Sequence, residues 1–159
     1  MDPKAKQKTL QMFSNGMYVV TSGAGDCYAA GTITWVSQAS FKPPLVMAAI
    51  RTDSHLYGRL RQSGVAVIHV LASHQQDMAQ KFFLASDTRK SPLNGEPFTL
   101  GKTSAPVLLN LPNYVECRVR QIIDDGGDHA VAILEVVEAE CRESLEPLTV
   151  AETPWRYGG

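Results

Sequence analysis

Short runs of hydrophobic and β-branched residues recur along the chain, separated by turns rich in Gly, Ser, Pro and Asp. Four such runs cover residues 16–22, 28–34, 45–50 and 65–71. Runs of this length and composition are typical of β-strands, and the polar residues between them are typical of turns. The first half of the chain is therefore predicted to consist mainly of strands.

The second half carries two longer runs. Residues 114–124 alternate, which predicts a strand with one buried face. The buried face would carry Val115, Cys117 and Val119, and the exposed face Glu116, Arg118 and Arg120. Residues 129–141 are apolar on both faces near their middle, which indicates a barrel interior or a subunit interface. A polar turn at residues 124–128 joins the two runs, and residues 147–150 predict a last short strand.

Helical patterns are fewer. Residues 4–13 predict an N-terminal helix that turns Leu10 and Phe13 inward. A Ser-x-x-Gln capping box at residues 73–76 predicts another helix, which runs through residue 83. The whole pattern predicts a mainly β protein, a small antiparallel barrel with a few short inserted helices.

A polar segment rich in Pro and Gly covers residues 84–106. A loop of this length in a compact domain is usually functional or mobile. The segment could cover a ligand or pack on a partner subunit, and the sequence leaves these alternatives open.

Composition limits the classes of function. The 159 residues carry a formal net charge of −1 and are 44% hydrophobic, which fits one domain over residues 1–159. So small a charge predicts no binding to nucleic acid or to an anionic membrane. No apolar window reaches the roughly 20 residues of a membrane span, and the first eight residues are polar, without the apolar segment expected of a signal peptide. We expect a cytoplasmic protein.

The three cysteines and four histidines show no metal-binding spacing.

The candidate chemistry begins at the end of the second run. Residues 29–34 lead into a hydroxyl-rich bend and then into Pro43-Pro44, which can donate no ladder hydrogen bonds. Hydroxyls here belong to Thr32, Thr34, Ser37 and Ser40. Together with unpaired backbone N–H groups, they suit the edge of a planar cofactor or a phosphate.

A second candidate group follows the next strand. Residues 55–62 predict a helix with Asp53 or Ser54 as N-cap, ending at a Ser-Gly pair. Arg51, Thr52 and Ser54 then meet at a strand end and a helix start, which is a plausible anion-binding site. In the alternative interpretation, Ser54 only caps the helix and Arg51 is solvated.

These residues carry a family resemblance. Residues 30–35 (Ala-Gly-Thr-Ile-Thr-Trp) and 40–44 (Ser-Phe-Lys-Pro-Pro) resemble the motifs of the flavin reductase-like family, the FMN-binding split β-barrels. Residues 35–40 are especially similar to the flavin-reductase domains attached to flavodiiron proteins. Further matches follow in order at residues 64–71, Gln75 or Gln76, 82–83, 127–129, 134–136, 147–148 and Tyr157.

The resemblance implies an antiparallel split β-barrel that binds FMN in preference to FAD, as a homodimer with NAD(P)H as co-substrate. It implies an NAD(P)H:flavin oxidoreductase in which the flavin does the chemistry, so no catalytic side chain is assigned. The implied cofactor contacts are Thr32, Ile33, Thr34, Trp35, Ser37, Arg51, Thr52, Ser54 and Phe82. The implied nicotinamide contacts are His129 and Tyr157.

Three departures from the family pattern leave alternatives open. Trp35 replaces a usually small residue, Gly31 stands where Met is common, and His69 where Asn is common. Because Trp35 could cover the flavin, the alternative function is a flavoredoxin-like electron-transfer flavoprotein, reduced by a protein partner. A split barrel acting on a corrinoid or haem is a third hypothesis.

The sequence leaves open whether FMN is prosthetic group or substrate, whether NADH or NADPH is used, and whether a redox protein or a monooxygenase accepts the electrons.

Overall fold

The computed structural model describes residues 1–84, 86–88 and 92–159, with the backbone alone for residues 86–88. The strands are β1 (Tyr18–Ala24), β2 (Cys27–Ile33), β3 (Val36–Ser40), β4 (Leu45–Arg51), β5 (Val65–Val70), β6 (Ser86–Thr88), β7 (Phe98–Leu100), β8 (Pro106–Leu108), β9 (Asn113–Ile123) and β10 (His129–Cys141). The helices are α1 (Pro3–Leu10), α2 (His55–Ser63) and α3 (Gln76–Lys81), with a 3₁₀ turn at Val150–Glu152.

Eight strands form one sheet in the order β3-β4-β10-β9-β5-β1-β2-β6, and every neighbouring pair is antiparallel. A separate two-stranded sheet pairs β7 with β8. The prediction of a mainly β, antiparallel fold with a few short helices is confirmed. None of the helices in the described part of the chain is long and apolar enough to span a bilayer.

The main hydrophobic core joins α2 to the sheet. Val20, Ile50, Ile68 and Leu134 come from four different strands and pack in one cluster with Leu60 of α2. Burial of side chains of this size stabilises the fold by roughly 2 kcal/mol each. Since α2 is held on the sheet in this way, its first turn is fixed beside the ends of β2 and β4.

Helix α2 has the ends that the sequence predicts. The Ser54 hydroxyl accepts a hydrogen bond from the Tyr57 N–H at 3.1 Å, so Ser54 is the N-cap. Gly64 has φ of +69°, the left-handed conformation favoured by glycine, and its N–H donates to the Leu60 carbonyl at 2.9 Å. The start of α2, which borders the candidate site, is thus fixed by local sequence.

The segment after β2 differs from the prediction. Residues 36–40 were expected in a loop, but they form β3, an edge strand paired with β4. Its polar side chains are largely exposed. Because an edge strand is held by backbone hydrogen bonds, it needs no apolar side chains, and the sequence pattern gave no sign of it. Pro43 and Pro44 lie between β3 and β4, as predicted.

Three local predictions are wrong. Leu10 and Phe13 are 41% and 65% exposed, because α1 buries no residue. The capping box predicted at residues 73–76 is absent: α3 begins at Gln76, and the Gln75 side chain instead accepts from the Ala72 N–H at 2.8 Å. Residues 147–150 form isolated bridges and part of a 3₁₀ turn rather than a strand, since Pro147 pairs with Ala72 whereas Thr149 pairs with Gly16.

Strand β10 alternates more regularly than predicted. Ala130, Ala132 and Leu134 are buried, whereas Val131 and Ile133 between them are only partly so. Over residues 130–134 the strand therefore has one fully buried face. Within the 84–106 segment, predicted as a loop, the described residues include β6 and β7. The predicted role of this segment falls partly on residues 85 and 89–91, which lie outside the described residues.

Glu116 on β9 was predicted to be exposed, but it is only 2% exposed. Its carboxylate accepts hydrogen bonds from the Lys102 N–H at 3.1 Å, the Thr103 N–H at 2.8 Å and the Thr103 hydroxyl at 2.8 Å. Three donors satisfy the buried charge, which explains why burial is tolerated. Glu116 therefore anchors the loop that connects β7 to β8.

His69 on β5 is fully buried and bridges two other strands. Its Nδ1 lies 3.0 Å from the Val19 carbonyl, and its Nε2 accepts from the Leu108 N–H at 3.0 Å. A carbonyl can only accept, so Nδ1 carries the proton and the ring is neutral. Burial lowers the pKa of His69 from its ordinary 6.5 to about 4. This histidine is a structural link in the core.

Candidate cofactor site

A cavity of about 590 Å³ opens where β2 passes into β3, next to the end of β4 and the start of α2. Its size and its mixture of apolar walls with a few polar groups are typical of small-molecule sites. The lining residues come from the 30–35 and 49–56 segments, from residues 82–84, and from Met17, His129, Val150 and residues 155–157. The cavity therefore unites the two groups of residues that the sequence singled out.

Thr32 is fixed by hydrogen bonds to the end of α3. Its N–H donates to the Phe82 carbonyl at 3.1 Å, and its hydroxyl donates to the Ala79 carbonyl at 2.6 Å. These contacts use both of its donors. Thr32 therefore positions the cavity wall and holds Phe82, which is buried and lines the cavity, against it.

Thr34 differs from Thr32 in its hydrogen bonding. It lines the cavity and is only 7% exposed, yet its hydroxyl oxygen is buried without a hydrogen-bond partner among the described residues. Leaving a buried hydroxyl unsatisfied costs about 1–3 kcal/mol, so such groups are uncommon. A hydroxyl with no protein partner is available to a polar atom that enters the cavity.

The pairing of β4 with β10 brings the distant His129 to this cavity. His129 lies directly opposite Arg51 in the register of the two strands. The Thr52 N–H donates to the Asp128 carbonyl at 3.0 Å and extends the pairing by one step. Thr52 itself lies outside the cavity lining.

Arg51 is already paired with an acidic side chain. Its Nε and Nη2 donate to the two carboxylate oxygens of Asp53 at 2.9 and 2.5 Å. This hydrogen-bonded pair raises the pKa of Arg51 and lowers the pKa of Asp53. Both side chains line the cavity and are exposed, by 58% and 67%. The guanidinium predicted to bind a phosphate thus binds a carboxylate of its own chain.

Three rings close one side of the cavity. The Trp35 ring lies 4.6 Å from that of His129 and 5.2 Å from that of Tyr157, measured between centroids. His129 Nδ1 lies 2.7 Å from the Asp128 carboxylate, and its Nε2 lies 2.7 Å from the Tyr157 hydroxyl. Since a carboxylate can only accept, Nδ1 carries a proton and donates to Asp128. Burial raises the pKa of Tyr157, which keeps the phenol protonated.

Comparison with known proteins decides the family. Residues 10–156 match the family described as the flavin reductase like domain. The chain belongs to this family. An NADH:FMN oxidoreductase of Rhodococcus erythropolis is 33% identical over 131 residues, which are 82% of this chain and 67% of the relative. The diflavin flavoprotein A 1 of Synechocystis sp. is 27% identical over 135 residues, 82% of this chain and 23% of that protein.

A solved structure of the flavin reductase family agrees with these matches. The bacterial protein BorF, the flavin reductase component of a two-component tryptophan halogenase, is 27% identical and superposes with a TM-score of 0.76. The match covers 93% of this chain and 92% of BorF. The resemblance inferred from the sequence motifs is therefore confirmed. The match to the diflavin flavoprotein confirms the similarity to flavodiiron proteins as well.

Most of the site residues implied by the flavin reductase resemblance meet at the cavity. Those that line it are Thr32, Ile33, Thr34, Trp35, Arg51, Ser54, Phe82, His129 and Tyr157. Ser37 does not, because it lies on β3 with an exposed side chain whose hydroxyl donates to the Gln38 carbonyl at 3.2 Å. Ser54 uses its hydroxyl to cap α2 and to donate to the Arg51 carbonyl at 2.8 Å. Contact of any of these residues with a cofactor stays a prediction.

Sequence reasoning missed part of the lining. The sequence indicates only a helix cap at Asp53 and assigns no role to Phe83, Trp155 or Arg156, although all four line the cavity. Phe83 and Trp155 stack edge to face with centroids 4.8 Å apart. The aromatic residues near residue 155 are the available signal, since tryptophan and tyrosine are enriched at binding surfaces.

Proposed function

We propose that this chain is an NAD(P)H-dependent flavin reductase that binds FMN in the cavity, within a single domain over residues 1–159. The observation that carries the proposal is the unpartnered, buried hydroxyl of Thr34 in the wall of a cavity large enough for a flavin ring. The names of the relatives support the activity, because they include an NADH:FMN oxidoreductase and a flavin reductase.

The residues present fit a phosphorylated flavin. Ile33, Leu56 and Phe82 supply apolar wall for the ring, and the Thr34 hydroxyl supplies a hydrogen bond to its polar edge. Arg51, at the exposed end of the cavity, carries a planar set of donors that suits a phosphate. FMN is favoured over FAD because Arg51 provides one compact anion site.

A flavin held here by Thr34, Phe82 and Arg51 would supply the hydride and electron-transfer chemistry. The side chains of this protein supply binding and orientation. His129 is held by Asp128 on one nitrogen and by Tyr157 on the other, so its ring has a fixed plane against which a nicotinamide can be oriented. The Trp35 ring packs at a tilt of 47° against His129 on that side of the cavity.

The architecture fits a split β-barrel. Core side chains from β1, β4, β5, β9 and β10 converge on one cluster with α2, as expected for a sheet that curls around an interior. We further propose a cytoplasmic homodimer that delivers reduced flavin to a monooxygenase or a redox protein. BorF, a component of a two-component halogenase, supports this role.

Anaerobic stopped-flow mixing of the FMN-loaded protein with NADH, and separately with NADPH, tests the activity. We expect rapid loss of the visible absorption band of oxidised flavin with at least one nicotinamide. Retention of that band with both would favour the electron-transfer alternative, in which a protein partner reduces the flavin. Failure to bind FMN or riboflavin at all would contradict the proposed function.

Thr34→Val tests the carrying observation. The change removes the hydroxyl and preserves the shape of the side chain, so we expect FMN affinity to fall about tenfold, the equivalent of one hydrogen bond. Because the lost hydroxyl has no protein partner, the free energy of unfolding of the ligand-free protein should stay the same or rise by up to about 1 kcal/mol. Fluorescence titration and chemical denaturation measure the two quantities.

The matched control is Thr32→Val. Its hydroxyl donates to the Ala79 carbonyl, so this variant should lose about 1 kcal/mol of stability. If Thr34→Val instead lost stability like the control and kept its FMN affinity, the Thr34 hydroxyl would be structural.

A further inference from the structure

The cavity contains one built-in anion at the place expected for the flavin phosphate. Asp53 is the acidic side chain among the described lining residues, and both of its carboxylate oxygens accept from the Arg51 guanidinium. The other arginine of the lining, Arg156, directs Nη1 to the carbonyls of Thr153 and Trp155 at 3.2 and 2.8 Å. Arg51 is therefore the cation best placed to bind a phosphate, and Asp53 already binds it.

We propose that Asp53 is a specificity-determining residue: its carboxylate competes with the flavin phosphate for Arg51 and lowers the preference of the protein for FMN over riboflavin. The inference rests on the proposed function of the cavity. It predicts that FMN is an exchangeable substrate rather than a permanently bound group.

The chemistry of the two anions supports competition. A carboxylate and a phosphate each accept two parallel hydrogen bonds from one edge of a guanidinium, so both suit the Nε–Nη2 edge of Arg51. Asp53 uses both the Nε and the Nη2 donors. A phosphate can gain a bidentate contact with this edge only after the carboxylate has left, and a phosphate at the Nη1 end would lie close to the carboxylate charge.

The position of Asp53 makes the competition persistent. Only one residue separates it from Arg51, and it immediately precedes Ser54, the N-cap of α2, so its backbone cannot move far. A displaced carboxylate would stay near the bound phosphate and repel it, since like charges a few ångströms apart interact unfavourably even in water. The exposure of both side chains allows the exchange without unfolding the cavity wall.

The experiment compares FMN with riboflavin, which has the same ring system without the phosphate. Dissociation constants for both flavins are measured by fluorescence titration with wild type, Asp53→Asn, Arg51→Gln and the double variant. We expect Asp53→Asn to raise the FMN-to-riboflavin affinity ratio about fivefold, by removing a competing charge. Arg51→Gln should lower that ratio at least about fivefold, because it removes the phosphate partner. In the Arg51→Gln background, Asp53→Asn should raise the ratio less than it does in wild type, because only the direct repulsion of the phosphate remains.

Three outcomes separate this inference from its alternatives. If Asp53→Asn lowered the ratio, Asp53 would orient Arg51 for the phosphate, and the competition would be wrong. If Asp53→Asn left the FMN-to-riboflavin affinity ratio unchanged, the proposed competition would also be wrong. The proposed function would still stand in that case, provided that the protein bound both flavins. If wild type bound neither flavin, the proposed function and this inference would fail together. Circular dichroism of each variant checks folding, which we expect to persist because Arg51 and Asp53 are exposed.

Discussion

Acidification from about pH 7 to about pH 4 is expected to reduce the free energy of unfolding by about 3 kcal/mol through His69 alone. The ring is fully buried between the Val19 carbonyl and the Leu108 N–H, and it accepts at Nε2. Protonation of Nε2 would set two donors against each other. Burial lowers the pKa of His69 to about 4, and the negative charge of Glu116 opposes this only in part.

The sign follows from the proton balance. Above pH 6.5, His69 is neutral in the folded and the unfolded chain, so its contribution to stability is complete. Between pH 6.5 and about 4, the unfolded chain takes up a proton that the folded chain refuses, so stability falls as the pH falls. Each pH unit between 6.5 and about 4 lowers the free energy of unfolding by about 1.4 kcal/mol, which gives a total loss of about 3 kcal/mol.

Urea denaturation at a series of pH values measures the effect, and His69→Asn isolates it from the carboxylates that also titrate. The variant should be less stable near neutrality, because asparagine is too short to bridge both backbone groups, but its stability should fall less steeply with acid. His74→Asn is the matched control, since the His74 side chain is exposed. Equal slopes for wild type and His69→Asn would show that His69 does not carry the effect.

The Gly101→Ala variant is expected to lose about 3 kcal/mol of stability by a steric mechanism. A Cβ at residue 101 would lie 2.5 Å from a carboxylate oxygen of Glu116, closer than non-bonded atoms approach. That carboxylate cannot move aside cheaply, because the N–H groups of Lys102 and Thr103 and the Thr103 hydroxyl all donate to it. The methyl group must therefore displace the loop or break these hydrogen bonds, each worth about 1.5–3 kcal/mol to a charged acceptor.

Thermal denaturation followed by circular dichroism checks this prediction, with Gly58→Ala as the control. Gly58 lies within α2, and a Cβ there would meet nothing within 4 Å. The control should gain about 0.5–1 kcal/mol, because alanine is the better helix former. Should Gly101→Ala melt as high as Gly58→Ala, the Glu116 anchor would be looser than the structure indicates.

Much of the fold follows from local sequence. Strand β5 is apolar except for His69, and α2 is delimited by a Ser cap and a left-handed Gly, so both are found without tertiary information. The burial of Glu116 could not be found in this way. The donors that satisfy it belong to residues 102–103, which the alternating pattern of β9 does not report.

The candidate site shows the same division. Its hydroxyl-rich bend and its family motifs were visible in the sequence, and the β4–β10 pairing brings His129 beside them. The Arg51–Asp53 pair was not visible, because a cation and a carboxylate two residues apart can point in any direction on a surface loop. The hydrogen-bonding difference between Thr32 and Thr34 likewise depends on α3. The Ala79 carbonyl of α3 accepts from the Thr32 hydroxyl, whereas the Thr34 hydroxyl has no partner among the described residues.

The cavity draws its walls from Met17 near one terminus to Tyr157 near the other, with contributions from β2, β4, α2 and β10 between them. No single continuous peptide cut from the chain would retain this cavity. A library built by randomising one loop would alter only one wall, so redesign of the ligand preference has to vary several distant segments at once.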